Sequence, residues 1–343
     1  MSGRDGRRVL AALFQGALEG VDPGELVARA LREPVVAGAL DRAREVGVLA
    51  VGKAAAGMLR GARGRASRGL AVLPRGSPWR AVAGVETLFA AHPEPDRSSL
   101  AAARRALAFF ASFGPEDVIL CLVSGGASSL LALPRRGVTL GEKRRAVARL
   151  AARGASILEV NRLRSSLSAV KGGGLGRATP ARLVTLVLSD VPGDRPGAVG
   201  SGPTIRGGRG DVVRVVGTNA VALAAAAAEA RRRGLAVRVA RGRLAGEARE
   251  AGARFARRAK RLRAGEALLA GGETTVTLPA RHGRGGRNLE FALGAGLEMA
   301  GERGLTLLAA GSDGHDGSSR AAGAIADGST LDRACRRGLD AVA

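Results

Sequence analysis

The sequence predicts an α/β protein with a largely parallel sheet in its first domain and a second, smaller α/β domain behind it. Three observations carry this expectation. Short apolar runs alternate with helix-length segments along the 343 residues, as strands joined by covering helices do. Four of these runs, 118–123, 183–188, 267–270 and 305–310, lead directly into glycine-centred loops. A basic helical segment then closes near Arg263, which sets the expected domains at 1–263 and 264–343.

Taken in order, the chain opens on an amphipathic helix rather than a leader. Gln15 interrupts the apolar run after Arg7-Arg8, and Glu19 and Asp22 follow without a small-residue cleavage site. Asp22-Pro23-Gly24-Glu25 reads as a helix start, with Asp as N-cap and Pro at the first helical position. Residues 46–51 form the first strand, and Gly52-Lys53-Ala54-Ala55-Ala56-Gly57-Met58 turns from it into a helix. Residues 69–73 and 86–89 are further strands. His92-Pro93-Glu94-Pro95-Asp96 is a rigid turn, after which Asp96 or Ser98 caps a helix over 100–110. Thr139-Leu140-Gly141-Glu142 is a capping box that opens a helix to Arg153. A helix over 156–170 ends in Lys171-Gly172-Gly173-Gly174. Beyond strand 183–188 come an alanine-rich helix at 220–233, a strand at 236–240 and a helix at 246–263. The last part holds strands 267–270, 274–278 and 305–310, a Gly/Arg-rich loop at 281–287 and a helix from Asn288.

Composition removes several classes of function. The net charge of +24 invites a nucleic-acid reading. Only Lys53, Lys143, Lys171 and Lys260 of the 54 basic residues are lysine, and the arginines are spread through helices. With no Tyr, one Trp and 7 Phe there is no aromatic array on which bases could stack, so no nucleic-acid partner is expected. Cys121 and Cys335 give neither a metal spacing nor a disulfide framework. No apolar run approaches a membrane span, and a cytoplasmic monomer or homodimer acting on a small molecule is expected.

The loops carry the chemistry. Ser124-Gly125-Gly126-Ala127-Ser128, Ser189-Asp190-Val191-Pro192-Gly193-Asp194, Gly271-Gly272-Glu273-Thr274-Thr275 and Gly311-Ser312-Asp313-Gly314-His315-Asp316-Gly317 each follow a strand. Ligands bind outside the carboxyl ends of parallel strands, and glycine lets backbone N–H groups close on an anion. Ser, Thr and Asp at the tips suit a phosphate, a metal and a small polar substrate. Asp190 and Asp194 flank a Pro-Gly turn and suit Mg²⁺, which takes one or two carboxylates and completes its shell with phosphate and water. Lys53 stands where a strand enters a helix, a good place for a cation meeting phosphate. Gly47 to Lys53 spells Gly-x-x-x-x-Gly-Lys, but Gly47 precedes the strand and Ala54 replaces the Ser or Thr of a P-loop. No Gly-x-Gly-x-x-Gly follows a strand, which argues against a nicotinamide cofactor. Arg287-Asn288, after Gly283-Arg284-Gly285-Gly286, reads as a guanidinium at an anion site.

Together the segments resemble the glycerate 2-kinase family, whose last domain is called MOFRL. The matching stretches run from Val51-Gly52-Lys53-Ala54-Ala55 and Ala91-His92-Pro93-Glu94-Pro95-Asp96 through the first two loops to Ser201-Gly202-Pro203-Thr204. Gly271-Gly272-Glu273-Thr274-Thr275-Val276, Gly286-Arg287-Asn288 and the loop from Gly311 to Gly317 complete them in family order. The resemblance implies a Rossmann-like domain plus a MOFRL-type domain, with ATP and Mg²⁺ used to phosphorylate D-glycerate at its 2-hydroxyl in a cleft between them. It implies that Lys53 and Arg287 are catalytic, which agrees with the reading of the residues, in which Asp190 or Asp194 supplies a metal position. Ser124, Gly125, Gly126, Ser128, Gly193, Glu273, Thr274, Asn288 and Asp313 are the candidates for binding nucleotide and substrate.

The chain departs from the family pattern in places. Residues 205–215 alone join Ser201-Gly202-Pro203-Thr204 to Val216-Gly217-Thr218-Asn219, where members usually carry a longer helical insertion. The Thr/Gly-rich closing segment of the family is missing after Ala343, so the second domain is expected to be truncated. Ser165, Ser166, Leu289 and Arg320 stand where Lys, His, Gln and Asp are usual. These departures keep a rival open, a relative that binds nucleotide or a hydroxy acid without turnover. Hydroxypyruvate reduction, a label sometimes attached to the family, is disfavoured by the absent dinucleotide fingerprint.

Overall fold

Six strands line up as one parallel sheet, and the inner ones read as apolar runs because strands covered on both faces need no polar alternation. The computed structural model describes residues 3–153, 157–279 and 282–340. Ser156 and Arg281, which open two of the expected segments, lie outside the described residues.

Helices α1 (Gly3–Gly20), α2 (Pro23–Ala30) and α3 (Pro34–Asp41) come first. Asp22 caps α2 as expected, accepting from the Gly24 and Glu25 amides. Then follow β1 (Val46–Val51), α4 (Ala55–Gly61), β2 (Arg68–Pro74), β3 (Val85–Ala90), α5 (Arg97–Ala111) and β4 (Val118–Ser124). Short α6 (Ala127–Leu130), α7 (Leu140–Ala152) and α8 (Ile157–Ser166) lead to β5 (Arg182–Leu188) and β6 (Val212–Gly217). The expected helix over 156–170 therefore stops at Ser166, before the glycine run.

The sheet order is β3-β2-β1-β4-β5-β6, every neighbouring pair parallel. This is the Rossmann-like order, and its direction of travel reverses between β1 and β4. Side chains alternate between two cores. Leu49, Val51 and Ile119 pack with Phe109 and Phe110 of α5. Val48, Ala50 and Leu120 pack with Val27 of α2, Val36 of α3 and Met58 of α4 on the opposite face.

Residues 22–218 form one compact unit, and residues 1–21 with 219–343 form the other. By contacts this second unit takes in residues 1–21 and 219–263, which the sequence reading places with the first domain. The smaller unit holds α1, α9 (Asn219–Arg232), β7 (Ala236–Val239), α10 (Ala248–Ala259), β8 (Glu266–Leu269) and α11 (Arg287–Glu298). It ends with β9 (Thr306–Ala310), β10 (Gly323–Asp327) and α12 (Thr330–Cys335). Close helix packing is the physical reason. A Cβ built on Gly20 of α1 would lie 2.2 Å from the Ala225 Cβ of α9, and one on Gly252 of α10 would lie 2.0 Å from the Phe291 carbonyl oxygen of α11. Arg7 of α1 also bonds Asp327 at the end of β10 at 2.7 Å.

The smaller unit has paired strands rather than one sheet: β7 with β8 parallel, and β9 with β10 antiparallel. The expected strand at 274–278 does not form; Thr275 makes only an isolated bridge to Glu247. Its core joins Phe291, Ala295 and Met299 of α11 to Leu307, Ala309 and Ala326. Among the described residues no helix is long and apolar enough to cross a membrane.

Candidate active site

In the larger unit the candidate residues gather at the carboxyl ends of β1, β4 and β5. Gly52 leaves β1 with φ +121°, and a Cβ there would lie 2.2 Å from Ser124 Oγ. That close approach lets the β1 and β4 loops bind each other. The Lys53 amide donates to the Gly125 carbonyl at 2.8 Å, and the Ala54 amide donates to Ser124 Oγ at 3.1 Å. Ser124 is itself buried, and its hydroxyl adds one side-chain bond to this backbone pairing.

The next two glycines admit side chains rather than merely turning. A Cβ on Gly125 would fall 1.7 Å from Asp190 Oδ2, so the carboxylate at the end of β5 lies against this loop. Gly126, with φ +86°, would place a Cβ 3.0 Å from the His92 ring and 3.3 Å from Lys53 Cγ. Lys53, His92 and Asp190 thus surround a bare backbone at the point of sheet reversal, with Lys53 and Asp190 exposed.

Further along the same unit, Asp194 has φ +49° and accepts from Ser189 Oγ at 2.7 Å. Gly193 stands at φ +77° with open space beside it. Asp190 and Asp194 remain the candidate metal ligands. Among the described residues no three acidic, His or Cys side chains form a metal cluster. Ser128 Oγ lies 3.1 Å from Ser201 Oγ and accepts from Lys171 Nζ.

The smaller unit gathers the rest. Arg287 opens α11; its guanidinium donates to the Glu273 carboxylate and, at 3.4 Å, to the Thr274 carbonyl. Asp316, only 2% exposed, caps this helix. It accepts from the Asn288 amide at 3.0 Å, from Asn288 Nδ2 at 3.1 Å and from the Leu289 amide at 2.8 Å. Gly286 permits the contact, since a Cβ there would lie 2.4 Å from the Asp316 carboxyl carbon. Asn288 Nδ2 and Asp313 Oδ1 flank Gly311, each 3.2 Å from where its Cβ would stand, and Asp313 Oδ1 also accepts from the His315 amide.

Four residues of these clusters escaped the sequence reading as site members: His92, Lys171, Ser201 and Asp316. The scarcity of lysine was a usable signal for Lys171. Asp316 reaches α11 across 28 residues of chain, a distance no local pattern spans.

The fold and loops define a two-part α/β chain, and comparison with known proteins agrees. Residues 9–239 match the model of a domain of unknown function, DUF4147, and residues 266–343 match the MOFRL family. The glycerate 2-kinase of Pyrococcus horikoshii is 30% identical, with 99% of this chain and 90% of that protein covered. The D-glycerate 2-kinase of Thermotoga maritima is 33% identical, with 94% and 87% covered. The crystal structure of glycerate kinase from Thermotoga maritima superposes with a TM-score of 0.86 at 31% identity, covering 99% of this chain and 91% of that one. A protein of Agrobacterium vitis named as a hydroxypyruvate reductase is 40% identical over 75% of this chain and 69% of its own length. The chain belongs to the glycerate kinase family. The Pyrococcus alignment runs over 397 positions, more than this chain of 343 residues has, so the chain is shortened against that relative.

Proposed function

We propose that the chain transfers the γ-phosphoryl group of ATP to the 2-hydroxyl of D-glycerate, with Mg²⁺, giving 2-phosphoglycerate. One observation carries the reading. Lys53, whose loop is bonded to Gly125, stands exposed beside Asp190 at the reversal of the parallel sheet, where α/β sheets bind ligands.

Phosphoryl transfer asks a protein mainly for position and for charge neutralisation. Lys53 and Arg287 are the cations assigned to that charge. The bare backbone at Gly125 and Gly126 lets phosphate oxygens approach closely. Asp190 fits a magnesium ion as an exposed carboxylate, and Asp194 is the second candidate, with water and phosphate oxygens completing the shell. Bound magnesium would supply charge stabilisation on the transferring group.

The test is purified protein with D-glycerate, ATP and Mg²⁺, with ADP release measured and enolase used to identify 2-phosphoglycerate. ADP formation with an enolase-competent product is expected. Measurable ATP binding with no ADP would favour a binding protein, and NADH oxidation with hydroxypyruvate would favour a reductase.

A further inference from the structure

Behind the Ser124–Ser128 loop lies a group of cations that the proposed chemistry leaves unused. Lys171 follows the helix α8 segment and is 6% exposed; Lys143 of α7 is also 6% exposed. Lys171 Nζ donates to Ser128 Oγ, which lies 3.1 Å from Ser201 Oγ. Two backbone bonds hold this arrangement in place: the Gly172 amide to the Ser201 carbonyl at 2.9 Å and the Gly173 amide to the Gly202 carbonyl at 2.8 Å. Ser201 is a non-glycine residue at φ +62°, so its hydroxyl is presented at a conformational cost. Lys143 Nζ is fully enclosed and has no hydrogen-bond partner among the described residues.

A buried ammonium without a partner is expensive, and two near each other are more so. Burial, then the charges of Lys143 and Arg164, push the Lys171 ammonium down to about 7. Burial, then Arg164, push Lys143 down to about 8. Among the described residues, the charges that push the pair down are Arg164 and, for Lys171, Lys143, all of them cations.

We propose that Ser128, Ser201, Lys171 and Lys143 form an anion subsite that takes the carboxylate of the hydroxy-acid acceptor. Two hydroxyls and two ammonium groups match the two oxygens of a carboxylate. Ser128 lies in α6, and a Cβ built on Gly126, the N-cap of that helix, would lie 3.3 Å from Lys53 Cγ. An acceptor held here by its carboxylate sends its hydroxyl toward the Lys53 end of the same loop. The assignment rests on the phosphoryl-transfer reading above for the identity of the acceptor.

Lys143→Met and Lys171→Met keep the side-chain length and remove the charge. Each is expected to raise the KM for D-glycerate about 10- to 100-fold, as loss of a charge-assisted bond does, and to leave the KM for ATP within about twofold. Ser128→Ala, a smaller change for the case in which a lysine variant does not fold, is expected to raise it about fivefold. Calorimetry without nucleotide should detect D-glycerate but not glycerol, which lacks the carboxylate, and both lysine variants should lose that heat. An unchanged KM for D-glycerate in folded variants would overturn the subsite. So would a rise in the KM for ATP alone, or displacement of the glycerate heat by ATP but not by a simple carboxylate, since a nucleotide phosphate would then occupy it. If the wild-type chain forms no ADP yet binds D-glycerate through these lysines, the subsite stands and the kinase reading falls.

Discussion

The two units hold their candidate cations by different means. In the larger unit, Lys53 is positioned by backbone. Its amide bonds the Gly125 carbonyl, and the strands before both loops are neighbours in parallel register from Val46–Val118 to Val51–Val123. In the smaller unit, Arg287 is positioned by a buried side chain. Asp316 caps the helix that Arg287 opens, and the strands there are paired only in twos. A loop set by sheet register withstands loss of one side chain. A loop set by one carboxylate does not.

The largest expected effect treats the two cations alike. Lys53→Ala and Arg287→Ala should each lower kcat by about 10³-fold, roughly 4 kcal/mol of barrier. Both side chains are exposed, so the melting temperature should stay within about 1 °C of wild type. Full turnover in either variant removes that residue from the chemistry.

Stability should then separate the units. Asp316→Ala leaves the Asn288 and Leu289 amides without their acceptor and empties a buried position, at a cost of about 2 kcal/mol, the upper end for a helix cap. Arg287 would lose its fixed helix start, so kcat should fall along with stability to denaturant. Asp316→Asn keeps an acceptor and should recover part of both. If Asp316→Ala melts like wild type, the smaller unit is not held by its cap and the contrast fails.

The same contrast explains what the sequence made legible. Strands β1, β4 and β5 are continuous apolar runs buried on both faces, and such runs announce themselves. Strand β6 escaped notice because Arg214 interrupts it and it pairs only with β5, at the sheet edge. The run at 274–278 is rich in Thr and Val and reads as a strand, but only Thr275 finds a partner. β-Propensity needs a neighbour to act on. The division of units was illegible for a related reason: Gly16 and Gly20 fit α1 against Ala225 and Glu229 of α9, more than 200 residues away in the chain. Of the site, Lys53 and the glycine loops could be read because each is local to a strand end. Asp316 and the Lys171–Ser128 contact could not, since both join segments that only the fold brings together.

The smallest expected effect probes the larger unit directly. Ser124→Ala removes the acceptor of the Ala54 amide at 3.1 Å but leaves the bond from the Lys53 amide to Gly125 in place. One neutral hydrogen bond is worth about 1 kcal/mol, so a modest drop in melting temperature is expected, with kcat reduced less than about tenfold. A catalytic collapse with unchanged melting temperature would mean that the Ser124 hydroxyl meets the substrate, and that side chains rather than register govern this loop too. A collapse in both would mean that the hydroxyl, not the backbone bond, holds Lys53. Only the mild outcome on both readouts leaves the register of β1 and β4 as what positions the lysine.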